Sequence, residues 1–293
     1  MPTHPLAEVF GFPADNLSAG TERYRNNRLC PYNNRVPSCT KDKANDPLGV
    51  CSIYDDEQPV ITCPVRFRQD WLIAEDAARF FFPPETRWTS LTEVRLNDRN
   101  GRSAGNIDVV IVAHDQNGKI LDFGSLEVQA VYISGNVRLP FAEYMGDRQK
   151  NSAMDWRGQQ YWPRPDYLSS SRKRLMPQLL YKGGILAGWG KKQAVAVQRP
   201  FFDTLPELEE VPPAQADLAW LLYDLELDPA QNRYQLVHSR TVYTSFDAAI
   251  RRITTAEAGP VDFFVAQLQE KLDQQLESGN PPDAPTLSDP GLT

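Results

Sequence analysis

The clearest pattern of apolar positions in the chain consists of two β-rich runs separated by a short polar turn. Residues 106–114 and 119–132 are apolar over most of their length, and Asp115-Gln-Asn-Gly118 stands between them. Asn-Gly readily takes the positive φ angles of a tight turn, so this pattern predicts an antiparallel hairpin. Because both runs are apolar at nearly every position, we expect them to lie in a sheet that is covered on both faces.

The remaining apolar segments predict an α/β fold around this hairpin. Residues 71–82 predict a helix that Pro83-Pro84 ends, and Ser90-Leu-Thr-Glu93 has the pattern that begins another helix. Residues 169–186 predict a helix with a basic N-terminal half, and residues 193–197 a short strand. Residues 219–227 and 234–243 predict a second strand pair, which residues 262–276 follow as a closing amphipathic helix.

The two ends of the chain differ from this central part. Up to about residue 67 the sequence is rich in Pro, Asn, Asp, Arg and Cys and shows no sustained period. We expect it to bury little apolar surface of its own and to need a further stabilising element, such as a bound metal, to be ordered. Residues 278–293, rich in Pro, Asp and Gly, predict a disordered tail. The sequence thus predicts a metal-binding module at 1–70, a core at 71–277 and a tail at 278–293.

Composition narrows the class of protein. Of 293 residues, 41% are hydrophobic and 24% charged, which is typical of a globular protein. No run of about 18 apolar residues occurs, and residues 1–10 lack the features of a signal peptide, so we expect a cytoplasmic protein without a membrane partner. Since the cytoplasm keeps thiols reduced, the four cysteines are expected to be buried thiols or metal ligands.

The net charge of −7 hides an uneven distribution of charged residues. Residues 201–293 contain 5 Lys+Arg and 16 Asp+Glu, whereas residues 148–200 contain 11 basic residues and 2 acidic ones. A locally positive surface favours contact with a polyanion such as DNA. A solvated basic helix face is the alternative. The candidate DNA contacts are Arg172, Lys173, Arg174, Lys182 and Arg240.

An acidic residue lies within each strand of the predicted hairpin. Asp108 stands in the first strand and Glu127 in the second, and Gln129 follows two residues later. Since side chains alternate between the faces of a strand, Glu127 and Gln129 share a face, and the hairpin brings that face close to Asp108. Glu93, one element upstream, is a candidate third carboxylate.

Burial of such carboxylates is costly unless something positive pairs with them, and no Lys or Arg occupies the neighbouring strand positions. A divalent cation between Asp108 and Glu127 would remove that cost, and carboxylate oxygens suit Mg²⁺. Such a site can activate water and neutralise a scissile phosphate, as in nucleases. The alternative is that both carboxylates lie at strand ends and face water, while Glu93 closes a capping box with Ser90.

The four cysteines all lie in the first quarter of the chain. Cys30, Cys39, Cys51 and Cys63 are separated by eight, eleven and eleven residues, without the close pairs of zinc fingers. Their concentration in a segment of low apolarity indicates a metal site. Four thiolates suit Zn²⁺ or a single iron, and ligand chemistry does not separate the two. With four protein ligands such a metal would be structural.

Two parts of the chain resemble known nucleases. An Asp on one strand followed on its hairpin partner by Glu-x-Lys, or a variant of it, is typical of the PD-(D/E)XK nuclease core, which the segment from Asp108 to Gln129 resembles. The cysteine region resembles that of the NotI family of restriction endonucleases. The similar segments are Glu8-Val-Phe-Gly-Phe-Pro13, Cys30-Pro-Tyr-Asn33, Cys39-Thr-Lys41, Gly49-Val-Cys51-Ser52 and Thr62-Cys63-Pro-Val-Arg66-Phe67. The resemblance covers residues 8–132 and combines two independent motifs.

This resemblance implies a type II restriction endonuclease, with a mixed sheet flanked by helices and an N-terminal four-cysteine metal-binding module, that cuts double-stranded DNA at a GC-rich palindrome. It implies that Glu93, Asp108 and Glu127 bind Mg²⁺ and that Gln129 takes the place of the usual Lys, orienting water or phosphate. For the four cysteines it implies iron as the first choice of metal, with zinc as the second. A palindromic target implies a homodimer.

Two other functions stay open at this point. One is a metal-stapled DNA-binding or regulatory protein with an inactive nuclease core, since Gln129 replaces the usual Lys and the C-terminal third is acidic. The other is a repair or mobile-element nuclease that selects DNA by its structure.

Overall fold

The computed structural model describes residues 3–33, 36–43, 45–256 and 258–279. The strands in this part of the chain are, in order, β1 (Leu6–Val9), β2 (Phe12–Pro13), β3 (Asp42–Lys43), β4 (Asp46–Pro47), β5 (Val50–Asp55), β6 (Gln58–Ile61), β7 (Trp88–Asn97), β8 (Ser103–His114), β9 (Ile120–Gln129), β10 (Tyr132–Ser134), β11 (Arg164–Asp166), β12 (Gln193–Gln198), β13 (Leu218–Asp228) and β14 (Arg233–Thr244). The chain divides into two units, residues 1–254 and 255–293. The domain boundaries predicted at residues 70 and 277 stay predictions.

The α-helices of the described residues are α1 (Ala19–Asn26), α2 (Leu72–Phe81), α3 (Arg138–Gly146), α4 (Arg148–Asn151), α5 (Tyr167–Ser169), α6 (Met176–Gln178), α7 (Gly184–Gly188), α8 (Arg199–Phe202), α9 (Phe246–Thr254) and α10 (Val261–Ser278). A 3-10 helix spans Pro64–Trp71. The π-helical turns Ser170–Leu175 and Leu179–Gly183 join α5, α6 and α7 into one continuous helix, residues 167–188, which we call the cleft helix. It confirms the helix predicted at 169–186.

A mixed sheet of six strands lies at the centre of the first unit, in the order β14-β13-β12-β9-β8-β7. Strand β12 runs parallel to β9 and to β13, and the other neighbours are antiparallel. The predicted hairpin is β8 and β9, the short strand is β12, and the second strand pair is β13 and β14. The α/β class with a mixed sheet flanked by helices is therefore confirmed.

Both faces of this sheet are covered, as the two apolar runs predict. On one face α2 packs against buried side chains of β8, β9 and β12, such as Ile111, Leu126 and Ala196. On the other face the cleft helix packs Leu175 and Leu179 among side chains of β12 and β13. The strand residues in the middle of the sheet thus lie between two layers of helix, where an ionisable group is expensive.

Helix α2 ends where the sequence predicts. Its apolar residues recur at helical spacing and bury one face against the sheet. Phe82 has extended backbone angles (φ −124°, ψ 155°), because the residue before a proline is disfavoured in the helical region. Gly124 of β9 lets this helix approach closely, since a Cβ there would lie 2.5 Å from the Phe81 ring.

The prediction that a helix begins at Ser90 is wrong, because residues 88–97 form strand β7. Their side chains alternate between less and more exposed positions along the strand, which is the period of an edge strand and not of a helix. Leu91 and Val94 are compatible with a helical period over so short a run, which is why the pattern misleads. Glu93 consequently closes no capping box and lies in a strand.

The N-terminal region buries more apolar surface than expected, partly against a distant segment of the chain. Strands β2, β1, β5 and β6 form a four-stranded antiparallel sheet in that order. Leu6, Val50 and Ile53 are fully buried in a cluster that Tyr144 and Trp156, far along the chain, complete. Sequence patterns within the N-terminal region do not reveal this core, because some of its residues come from a distant segment.

The second unit contains the predicted C-terminal helix as α10. This helix has no buried residue, and its apolar side chains, among them Phe263 and Leu276, are exposed. The predicted tail lies, from residue 280 onward, outside the described residues. Across the described parts of both units, no helix combines the length and the apolar character that crossing a membrane requires.

Candidate active site

The β8–β9 hairpin places Asp108 opposite Glu127. Val109 pairs with Leu126 and the pairing continues antiparallel, so the next pair outward is Asp108 and Glu127. The turn that sets this register is fixed by Asp115, whose Oδ1 accepts hydrogen bonds from the backbone N–H groups of Asn117 and Lys119, each at 2.8 Å. The predicted proximity of the two carboxylates is therefore present in the structure.

Glu127 is a buried carboxylate with only 5% of its surface exposed. Its Oε2 accepts a hydrogen bond from Nζ of Lys182 at 2.7 Å, whereas its buried Oε1 has no hydrogen-bond partner among the described residues. Burial, together with the negative charge of Asp108, raises the pKa of Glu127 to about 7. The carboxylate thus lies deep in the sheet and not at a strand end facing water.

Asp108 shares this environment and is held by the backbone of the partner strand. Its Oδ2 accepts a hydrogen bond from the backbone N–H of Val128 at 2.8 Å. Burial raises the pKa of Asp108 and the charge of Glu93 adds to the rise, while the Val128 amide and the Lys182 ammonium oppose it. The two carboxylates therefore form a pair of like charges that one lysine only partly compensates.

Glu93 and Gln129 lie at the border of this pair. Glu93 stands on β7 between the residues paired with Val109 and Ile107, hence across from Asp108, and its φ of 57° is in the left-handed region that few non-glycine residues adopt. Its side chain is exposed. Gln129 is mostly buried, and its Nε2 donates to the carbonyl of Ala130 at 2.5 Å. The structure thus brings all four predicted residues to one end of the hairpin.

Polar residues of the cleft helix face this end of the hairpin at helical spacing. Arg174, Gln178 and Lys182 follow one another at intervals of four residues. Lys182 reaches Glu127 and also donates to the Gln178 side chain at 3.3 Å, and the Arg174 guanidinium stacks 4.5 Å from the centroid of the Tyr132 ring. The helix therefore supplies positive charge to the face of the sheet that bears the carboxylates.

A cleft of about 590 Å³ opens beside the carboxylates. Asp108 and Gln129 line it from the sheet, Gln178 and Arg174 from the cleft helix, and Lys41 from the cysteine region. Its walls thus combine residues from three distant parts of the sequence. A concave site with convergent polar groups and perturbed carboxylates is the arrangement expected of an active site.

The other predicted DNA contacts lie on the surface. Arg172 and Lys173 are exposed on the cleft helix, as is Arg174. Arg240 is exposed on β14 and forms an ion pair with Glu210 at 3.3 Å. Lys182, predicted in the same group, differs from them because it is buried beside Glu127, with 6% of its side chain exposed.

The four cysteines lie on two ribbons in the N-terminal region. Cys30 and Cys39 lie next to an antiparallel backbone bridge between Leu29 and Ser38. Cys51 is in β5, and Cys63 follows shortly after β6, the antiparallel neighbour of that strand. All four thiols are free. The fold therefore brings into one region cysteines that are widely separated in sequence.

The thiols are close enough for the charge of one to affect the pKa of another. Burial raises the pKa of Cys30 to about 11, and the charges of Cys63 and Cys39 act in the same direction. Nζ of Lys41 is buried beside these thiols and donates to the carbonyl of Val50 at 2.6 Å. Over the described ranges, no group of three or more His, Cys, Asp or Glu residues is arranged to hold a metal ion.

The family of the chain follows from a comparison with protein-family models. Residues 15–236 match the model described as "Restriction endonuclease NotI", which is well over half of the chain. A search of curated proteins finds no match. The family match defines the class of protein, a restriction endonuclease, and hence a site-specific deoxyribonuclease whose partner is double-stranded DNA. The chain belongs to the NotI restriction endonuclease family, as its sequence motifs predict.

Sequence reasoning places Lys182 among the DNA contacts, whereas in the structure this residue is the hydrogen-bond partner of Glu127. No Lys or Arg on a neighbouring strand pairs with the carboxylates among the described residues, but Lys182 reaches them from a helix 55 positions further along the chain. Its spacing from Arg174 and Gln178, at successive turns of one predicted helix, is the only signal in the sequence. Strand patterns alone do not reveal a contact made across two layers.

Proposed function

We propose that this protein is a type II restriction endonuclease that cleaves double-stranded DNA at a specific sequence with Mg²⁺. The observation that carries the proposal is the buried pair Asp108 and Glu127, in which Oε1 of Glu127 has no partner among the described residues and the Asp108 side chain opens onto a cleft. Two like charges and an unpartnered oxygen suit a divalent cation with oxygen ligands.

Asp108 and Glu127 would bind the Mg²⁺, and Glu93, across from Asp108, would supply a third carboxylate. When bound, the ion supplies positive charge to the scissile phosphate and lowers the pKa of water. The Val128 amide orients Asp108 through its 2.8 Å hydrogen bond. Gln129, on the cleft wall, would orient water or a phosphate oxygen through its amide group.

The DNA would approach along the basic side of the cleft. Arg172, Lys173 and Arg174 present positive charge on the exposed part of the cleft helix, where phosphate contacts gain most. Arg240 is a further phosphate contact in this proposal. The target is a GC-rich palindrome, and a homodimer would cut its two strands symmetrically.

The N-terminal region would bind a structural metal through Cys30, Cys39, Cys51 and Cys63, with iron as the first choice and zinc as the second. Four thiols in one region are soft ligands that such metals prefer, and the buried Lys41 ammonium offsets part of their negative charge. Because Lys41 also lines the cleft, this metal would steady one wall of the active site.

Plasmid digestion with Mg²⁺ tests the proposal. Discrete bands are expected from the wild-type protein, and Asp108→Asn should abolish cleavage while DNA binding stays within about tenfold, because the substitution removes a metal ligand and no phosphate contact. The matched control is Asp122→Asn, an exposed carboxylate on the same hairpin that pairs with Lys191.

The outcome separates the three functions. A smear of fragments would favour a nuclease that selects DNA structure, and DNA binding without any cutting would favour a regulatory protein with an inactive core. Cleavage by Asp108→Asn at the rate of Asp122→Asn would refute the proposed site.

A further inference from the structure

Lys182 is a buried cation whose three hydrogen bonds all end in the candidate active site. Its Nζ donates to Oε2 of Glu127 at 2.7 Å, to the carbonyl of Asn106 at 2.7 Å and to Oε1 of Gln178 at 3.3 Å. An ammonium group has three protons to donate, so every one has an acceptor. A lysine that is buried and fully hydrogen-bonded has one orientation, because any other would leave its charge unpaired.

The acceptors that hold Lys182 lie on the two elements that meet at Glu127. Asn106 precedes Asp108 by two residues on β8, and Gln178 lies one helical turn before Lys182 on the cleft helix. Gly105 has a φ of +104° and comes close to the lysine stem, since a Cβ there would lie 3.8 Å from Cδ of Lys182. The ammonium is therefore held in place by β8 before any ligand binds.

The hydrogen bond from Lys182 determines what Glu127 can offer to a cation. With Oε2 engaged by the ammonium, Oε1 is the oxygen that stays without a partner among the described residues. Gln129, on the same face of β9, contributes an amide and no charge. The positive charge beside the two carboxylates thus enters from the cleft helix and not from the strand.

We propose that Lys182 is a positioning residue that holds Glu127 in the orientation used for cleavage, at some cost in metal affinity, and supplies the positive charge that Gln129 does not. This inference rests on the proposed function of the Asp108 and Glu127 pair as a Mg²⁺ site. Lys182 does not line the cleft, so in this arrangement it acts through Glu127. Because its ammonium repels a cation bound to the same carboxylate, it also weakens metal binding while it orders the site.

Relocation of the charge tests this role. Lys182→Met keeps an unbranched side chain of similar length without charge, and the double variant Gln129→Lys with Lys182→Met returns a lysine to the same face of the sheet. Lys119→Met, an exposed lysine at the turn of the hairpin, is the control. Cleavage rates are measured at saturating Mg²⁺. Binding of Mn²⁺ to each protein without DNA is followed by electron paramagnetic resonance at about pH 9, because the loss of Lys182 favours a proton on Glu127 that would compete with the ion at lower pH.

We expect Lys182→Met to cleave roughly a hundredfold more slowly than Lys119→Met, as when one fixed electrostatic group is removed from an active site. We also expect it to bind Mn²⁺ about tenfold more tightly, since one positive charge is gone. The double variant should recover cleavage by about tenfold or more and bind Mn²⁺ as the wild type does. Damage to the fold alone would loosen metal binding and not tighten it.

Cleavage by Lys182→Met at the rate of the control, or Mn²⁺ affinity that is unchanged or weaker in the folded variant, would overturn the inference. If Lys182→Met does not fold, the double variant decides: a folded, cleaving protein supports the role, and an unfolded or inactive one refutes it. If the wild type cuts no plasmid, the proposed function fails, and the Mn²⁺ titration still tests Lys182.

Discussion

The stability of the metal-free protein should fall as the pH rises from about 5 to about 8, and Glu127→Gln should remove most of this dependence. The pKa of Glu127 is raised from its ordinary value of 4.5 to about 7 by burial and by Asp108. The folded state therefore binds the proton more tightly than the unfolded state does. The stabilisation is complete below the unfolded pKa and is lost as the pH rises through the folded pKa.

The size of the effect follows from the shift. Each unit of pKa difference between the folded and unfolded states corresponds to about 1.4 kcal/mol, so the raised pKa of Glu127 makes the folded protein about 3 kcal/mol less stable at high pH than at low pH. In Glu127→Gln the amide keeps the shape of the side chain and does not ionise. Any change in packing that the substitution causes shifts stability equally at every pH, so the slope is the quantity to compare.

Urea denaturation in the presence of a chelator, at about pH 5 and about pH 8, measures this slope for the wild type and for Glu127→Gln. Addition of Mg²⁺ in place of the chelator should flatten the wild-type slope, because a bound cation keeps both carboxylates ionised. Equal slopes in the two proteins would show that Glu127 does not carry the shift, and the account of the buried pair would then be wrong.

Three further outcomes are expected. Gln129→Ala should slow cleavage roughly a hundredfold with an unchanged circular dichroism spectrum, and normal cutting would make this residue a bystander. Freshly purified protein should contain about one iron or zinc ion that a brief chelator wash does not remove, which elemental analysis checks. Cys51→Ser should lower the metal content and the solubility of the protein together. Arg66→Leu should lower the free energy of unfolding by about 3 to 5 kcal/mol, because it leaves Glu8 buried without its partner. Arg66→Leu combined with Glu8→Gln should recover much of this free energy, and urea denaturation of the two variants measures the difference.

The hairpin shows which part of the site the sequence can predict. Asn-Gly predicts the turn, and the antiparallel pairing that follows it, with one register shift between Ala113 and His114, places Asp108 opposite Glu127, so a local signal predicts their proximity. The same logic covers Gln129, because alternation along a strand is a local property. Glu93 lies in a strand next to β8 and not in the helix expected around it, and its role as a third carboxylate stays a prediction.

Contacts between distant segments are the part that sequence patterns do not predict. Lys182 approaches Glu127 because two layers pack, and the pairing depends on the rotation of the cleft helix about its axis. The N-terminal core is similar, since Tyr144 and Trp156 complete it from far along the chain. Low apolarity in one segment therefore does not show that the segment lacks a core.

The reach of Lys182 from the cleft helix to Glu127 makes the site tolerant of some sequence changes and intolerant of others. A substitution on the exposed side of residues 167–188 leaves the helix phase unchanged. The deletion of one residue between Gln178 and Lys182 would fall in the π-helical turn Leu179–Gly183 and would change the position of every later residue around the helix axis. Evolutionary drift in this segment is thus expected as exchanges of side chains at constant length, with insertions and deletions confined to the loops on either side.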